Sequence, residues 1–313
     1  MPPETRPTAP PTAHPSGPPG SEDRRNVIHD IGYRHYDGPR LGRSYARRSL
    51  FTQSLRGAYG LGRSARTKVL PMILFAAMCL PAGIIVAVTV FAHLRDLPVE
   101  YTRYAVYLQA VIGLFLASQA PQAVSRDLRF GTMPLYFSRP AERVDYVVAK
   151  FAALTCALLL LTGTPLVILY LGSLLAKLDF GHQTAGFAQG MVAAVLLSLL
   201  FAGIGLVIAA LTPRRGFGVA AVIAAMTVPY AAVSAVEGIA YARGAGTAET
   251  WVGLFSPITL VDGVQSAFLG ATPATPGGAG PSAAVGCVYL LLLLAAVAGS
   301  YALLLRRYRK AGL

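Results

Sequence analysis

The sequence predicts an all-α polytopic membrane protein with six transmembrane helices and both termini in the cytoplasm. Three observations predict it. Only 13% of the residues are charged and the mean hydropathy is +0.54, whereas a soluble domain carries about a quarter charged residues. Six apolar stretches, at 69–92, 104–124, 147–175, 187–211, 217–240 and 283–305, each come near the roughly 20 residues a helix needs to cross the hydrocarbon core. With the N-terminus placed inside, 23 of the 27 Lys and Arg fall on inner segments, and only Arg95, Arg103, Lys177 and Arg243 fall outside. This is the positive-inside bias. Long N-terminal regions count for less under that rule, yet without this one the split is still 11 against 4.

Residues 1–20, MPPETRPTAPPTAHPSGPPG, are rich in Pro, Thr, Ser and Gly. Such a composition cannot bury a core and is expected to be a disordered tail. No apolar h-region follows it, so it does not read as a signal peptide. Residues 21–68 form a basic cytoplasmic segment. Within it, 44–59 (SYARRSLFTQSLRGAY) places Phe51, Leu55 and Ala58/Tyr59 on one side, with Arg47, Arg48 and Arg56 on others. It reads either as an amphipathic helix on the inner leaflet, its arginines near anionic headgroups, or as a solvated basic linker. LGRS occurs at Leu41–Ser44 and again at Leu61–Ser64, too short a match to mark a repeat.

Residues 69–313 form the six-span domain. Continuous apolar runs of this length fit helices, which satisfy their own backbone in lipid, better than barrel strands. The third run is long enough to tilt or to project beyond the bilayer. Pro71, Pro81, Pro121, Pro165 and Pro229 fall inside runs and predict kinks. Ala202, Gly203 and Gly205 predict close helix packing in the fourth run. The connection at 241–282 is outer. Its residues 251–270 are too apolar for a free loop and read as a short interfacial helix or a re-entrant element, with Trp251 at headgroup level. ATPATPGGAGPS, which follows, reads as a flexible link.

Reactive constellations are absent from the sequence. No Gly-Lys pair exists, so the phosphate cradle GxxxxGK[ST] cannot form. His14, His29, His35, His93 and His182 all lie outside the spans and HExxH is missing, against serine-type or zinc proteolysis at membrane depth. An aspartyl type needs two carboxylates in the spans; Glu237 alone lies near membrane depth. Glu237 either reaches water from the outer end of the fifth run or faces a pathway. Cys79, Cys156 and Cys287 lie in apolar runs without metal spacing. The chain is expected to be no enzyme, to hold no cofactor or metal, and to bind no nucleic acid. Its net charge of +13 is accounted for by topology.

One inner segment stands apart. RDLRFGTMPLYFSRPAERVDY, 126–146, carries charges of both signs, apolar contact area (Leu128, Phe130, Leu135, Tyr136, Phe137), a Gly-Thr pair and two prolines. Its residues fit both a loop held by headgroups and a short helix that docks into a partner's groove.

The residue order resembles the coupling segment of ABC-2 family ABC transporter permeases. Asp127 stands four before Gly131, followed by Thr132; Ser138, Pro140, Arg143 and Lys150 take the later places of that pattern. Met133–Pro134 departs from the family's leucine and acidic pair. FSPITLVDG (Phe255 to Gly263) resembles the Ser-Pro element before that family's last span. HDIGYRHYDGPRLGR (His29 to Arg43) resembles the N-terminal region of actinobacterial members. The resemblance implies a permease subunit in the plasma membrane, paired with a second permease subunit (as a homo- or heterodimer) and with cytoplasmic ABC ATP-binding subunits that hold ATP and Mg. It implies export driven by hydrolysis on that partner. Arg126, Asp127, Leu128, Arg129, Phe130, Gly131 and Thr132 would form the coupling and docking element, with Gly131 as hinge. Pro140, Arg143 and Lys150 would anchor the return to the membrane. The alternative is a non-transporting membrane anchor or sensor that recruits a cytoplasmic partner.

Overall fold

The computed structural model describes residue 38 and residues 41–62, 64–129, 142–212, 214–244, 250–278 and 280–311, with backbone only at 125, 126, 128, 129, 215, 310 and 311. Among these residues the elements are α1 (Arg43–Ala58), α2 (Ala65–Phe91), α3 (Tyr101–Tyr107), α4 (Gln109–Arg129), α5 (Arg143–Leu175), α6 (Phe180–Leu211), α7 (Arg215–Ala242), a 3₁₀ turn (Gly253–Phe255), α8 (Pro257–Phe268) and α9 (Ala283–Ala311). No strand occurs among the described residues. Helices α2, α5, α6, α7 and α9 are long and apolar enough to cross a membrane, and the bent pair α3–α4 makes a sixth candidate. The proline-rich tail 1–20 lies outside the described residues.

Antiparallel α5 and α6 form the centre. Helices α1 and α2 pack on α5, α4 and α9 on α6, and α7 on α4. In the most apolar stretch of each helix, 61% of α5 and 56% of α6 is buried, against 11% of α7. Small residues permit the close approach: Ala202, Gly203 and Gly205 are all buried, and a Cβ on Gly205 would meet Leu116 Cδ1 at 2.6 Å. That packing is as the sequence predicts.

The helix ends follow ordinary backbone rules. Asp179 caps α6 by accepting from the His182 N–H at 3.0 Å. Ser256 precedes Pro257, which opens α8 at the first helical position, where a missing N–H costs nothing. α5 ends with Lys177 in the left-handed region (φ 56), and the Lys177 and Leu178 N–H groups close back on Leu174 and Ser173. This double return satisfies two of the last carbonyls. Each of the five prolines sits within a continuous helix.

The recorded break lies elsewhere. Helices α3 and α4 meet at Leu108 with a bend of 62°, where the sequence predicts one run over 104–124. The tyrosines of α3 explain it. The Tyr101 hydroxyl donates to Gln183 Oε1 at 2.9 Å, and that of Tyr104 donates to the Met78 carbonyl. Both rings are buried. In the bent arrangement both hydroxyls reach partners, on α6 and α2, and buried hydroxyls left unpaired cost about 1–3 kcal/mol each.

Two further elements make contacts that composition left open. On the apolar side of α1, Leu55 and Ala58 pack on the core, and the Tyr59 hydroxyl after the helix donates to the Ala157 carbonyl at 2.8 Å. The element at 251–270 is buried along its middle and exposed at both ends. Ile258, Leu260, Val261, Asp262, Gly263, Val264 and Gln265 are buried in α8, while Trp251 is half exposed.

Candidate functional site

The site of interest is the elbow between α4 and α5, where the 126–146 segment leaves one helix and enters the next. Asp127 lies on the last turn of α4. Its Oδ2 is 3.1 Å from Lys150 Nζ on the second turn of α5, and it accepts from the Tyr146 hydroxyl at 2.6 Å. The two charged side chains keep only 19% and 13% of their surface exposed. The Lys150 ammonium also stands 5.4 Å from the centre of the Tyr146 ring, within cation–π range. Tyr146 in turn meets Tyr308 of α9 edge to face, ring centres 5.2 Å apart. One carboxylate thus joins α4 to α5, and one tyrosine extends the connection to α9.

A second contact holds the start of α5. Glu142 and Asp145 form a reciprocal capping box, each side chain accepting from the other's backbone N–H. Asp145 is buried and accepts from Arg43 Nε of α1, with Arg47 Nη1 at 4.0 Å. Arg43 also pairs with Glu142. One of the arginines that the sequence assigns to headgroups, Arg47, is thus directed, with Arg43, at the start of α5.

Of the sequence-predicted residues, the structure brings together Asp127 and Lys150. Arg143 is the first residue of α5. Arg126, Leu128 and Arg129 fall on the backbone of the last turns of α4. Phe130, Gly131, Thr132 and Pro140 lie outside the described residues. Sequence reasoning gives no role to Tyr146, Tyr308, Arg43 or Asp145. The signal for the last was present: Glu142 and Asp145 open an apolar run at capping-box spacing.

At the other end of the bundle a second polar cluster surrounds Glu237, which is 5% exposed. It lines a narrow cavity of about 50 Å³ with Asp262, Tyr230, Ser234, Thr259 and Tyr289. Asp262 is 4% exposed; it accepts from the Ala274 N–H and from Gln265 Nε2, each at 2.8 Å. Burial pushes its carboxyl above the ordinary range against the pull of these donors. Glu100 Oε2 accepts from the Thr272 N–H and hydroxyl, and Arg103 donates to Thr272 Oγ1 and the Pro273 carbonyl. The beginning of the expected flexible link is thus fastened to α3 and α8. Asp262, which sequence reasoning passes over, is the only acid in 251–270, and a lone acid in an apolar element signals a partnered one.

Among the described residues no group of three or more His, Cys, Asp or Glu could hold a metal ion. Compared with known proteins, the chain matches no family model and no curated relative.

Proposed function

We propose that the chain is the transmembrane permease subunit of an ABC-2 type exporter, driven by ATP hydrolysis on a separate cytoplasmic subunit and paired with a second permease chain in the plasma membrane. The observation that carries the reading is the elbow. Residues 130–141 connect two candidate spans whose facing ends are locked by Asp127, Lys150 and Tyr146. A push on that connection by a partner would reach α4 and α5 through the ion pair and α9 through Tyr308. Asp127 then acts as a positioning residue, and the arginines beside it, Arg126 and Arg129, are the contacts for the ATP-binding subunit.

The test uses the chain co-expressed with an ABC ATP-binding protein from the same genome. R126E/R129E is expected to lose most of the co-purifying ATPase. D127N is expected to keep the ATPase bound but to lose about fivefold or more of its stimulation, since a coupling free energy of about 1–3 kcal/mol is typical of linked sites. Retained binding and retained stimulation in both variants would refute the reading. Retained binding with no substrate movement in the unaltered complex would favour an anchor or sensor.

The proposal places both termini and the elbow in the cytoplasm. A reporter fused after Gly181 is then expected to read external, and one after Arg215 internal. The opposite pattern would overturn the orientation.

A further inference from the structure

The side of α1 turned away from α5 carries a groove that neither the packing nor the elbow uses. The four arginines of α1 divide into two pairs. Arg43 and Arg47 turn toward Asp145. Arg48 and Arg56, both exposed, instead line an open groove of about 520 Å³ with Tyr45, Ser49, Thr52 and Leu61. Positions 48, 52 and 56 follow one helical stripe, which sets the two arginines about 12 Å apart along the axis. Among the described residues, no acidic side chain lines the groove and neither arginine forms an ion pair. The Thr52 hydroxyl is spent on the Arg48 carbonyl at 3.0 Å. The donors left for an occupant are the two guanidinium groups, the Ser49 hydroxyl and the Gln53 amide.

The groove's far wall fixes its surroundings. α1 ends at Gly60 (φ +68), where the Leu61 N–H returns to the Arg56 carbonyl at 2.8 Å. A Cβ on Gly60 would meet the Thr67 carbonyl oxygen at 2.7 Å, so this tight turn needs glycine. It holds Leu61 and Gly62 against the groove, and α2 begins at Ala65. The first turns of α2 expose Val69, Leu70 and Ile73. Two uncompensated guanidinium groups therefore stand beside the point where an apolar, membrane-length helix starts, which is the level of lipid headgroups.

We propose that this groove is a binding site for an anionic phospholipid. Arg48 and Arg56 donate to the phosphate oxygens, Ser49 and Gln53 to the rest of the headgroup, and the acyl chains run beside the exposed face of α2. Guanidinium groups match phosphate oxygens in geometry as well as charge. The site rests on α2 crossing a membrane and not on any ATP-binding partner.

The test measures the lipids retained by the purified full-length chain, by native mass spectrometry, after equilibration in mixed micelles of phosphatidylcholine and phosphatidylglycerol. The unaltered chain is expected to enrich phosphatidylglycerol over its bulk share. R48Q/R56Q is expected to lower that enrichment about tenfold, since each basic residue near the surface contributes appreciably to anionic-lipid attraction. R48K/R56K should keep most of it, and circular dichroism checks that each variant is folded. Unchanged enrichment in a folded R48Q/R56Q chain would overturn the site. So would full displacement of the lipid by inorganic phosphate, which would mark a soluble-anion site. Loss of a bound ATP-binding protein in R48Q/R56Q with lipid enrichment intact would make the face a protein interface and overturn it too.

Discussion

Replacing Lys150 with methionine is expected to lower the stability of the purified chain by about 2 kcal/mol. Breaking a buried ion pair from one side costs about 3–5 kcal/mol, and the residual exposure of both side chains, 13% and 19%, reduces it. Methionine preserves the apolar stem, so the loss is the ammonium that faces Asp127 Oδ2. The diagnostic comparison is with D127N/K150M. Removing both charges leaves no uncompensated carboxylate, so the double variant should be more stable than K150M alone. Thermal unfolding in detergent reads the difference. If the single and double variants melt together, the pair does not hold the elbow. K150R, which keeps the charge, should recover most of the stability.

The second large effect is expected at Gly263. A Cβ there would sit 2.2 Å from Cδ1 and Cε1 of Tyr289, inside any tolerable contact. The ring cannot swing aside cheaply: it is 3% exposed, and its hydroxyl donates to the Thr250 carbonyl at 2.6 Å. Overpacking costs about 1–3 kcal/mol, and G263A should fall at the upper end because the hydrogen bond is disturbed as well. Adding Y289A should make the second methyl-scale change nearly harmless, so the two variants are strongly non-additive. Gly238 of α7 supplies the contrast, since nothing lies within 4 Å of a Cβ placed there. G238A is expected to be neutral or slightly stabilising, as helix propensity alone would have it. Equal melting of G263A and G238A would contradict the packing of α8 against α9.

The helices were legible in the sequence because apolar length is a local property. Each of the six runs reappears, extended by a few residues into flanking turns that hydropathy does not score, such as Ala65–Lys68 ahead of the first and Phe180–Gly186 ahead of the fourth. The bend at Leu108 was not legible. It depends on where the Tyr101 and Tyr104 hydroxyls find partners on other helices, and pairing across 26 and 82 residues leaves no local mark. The five prolines are local signals of another kind: none of them ends its helix, since neighbouring helices and water can satisfy the freed carbonyls. At the elbow, the sequence singled out Asp127 and Lys150 separately, one for docking and one for the return to the membrane, and left their meeting unforeseen. The roles of Tyr146 and Tyr308 did not show, because Tyr146 closes a polar segment and Tyr308 stands among the basic residues after the last run, where nothing local marks a buried ring. Burial of Glu237 and Asp262 turns on the fold of 251–270, which composition left open between two placements.

The uneven burial of the long helices has a consequence for how such a sequence can drift. Helices α5 and α6 interlock over most of their apolar length, 61% and 56% buried, while the corresponding stretch of α7 is 11% buried. A substitution of volume or shape in α5 or α6 meets a neighbour at once, whereas most positions of α7 ask only for an apolar side chain. Homologous lineages should therefore diverge fastest along α7, exchanging Ile, Val, Leu and Phe almost freely. Any α7 position that resists such exchange while facing away from α4 would mark where a second protein chain, rather than lipid, covers this molecule.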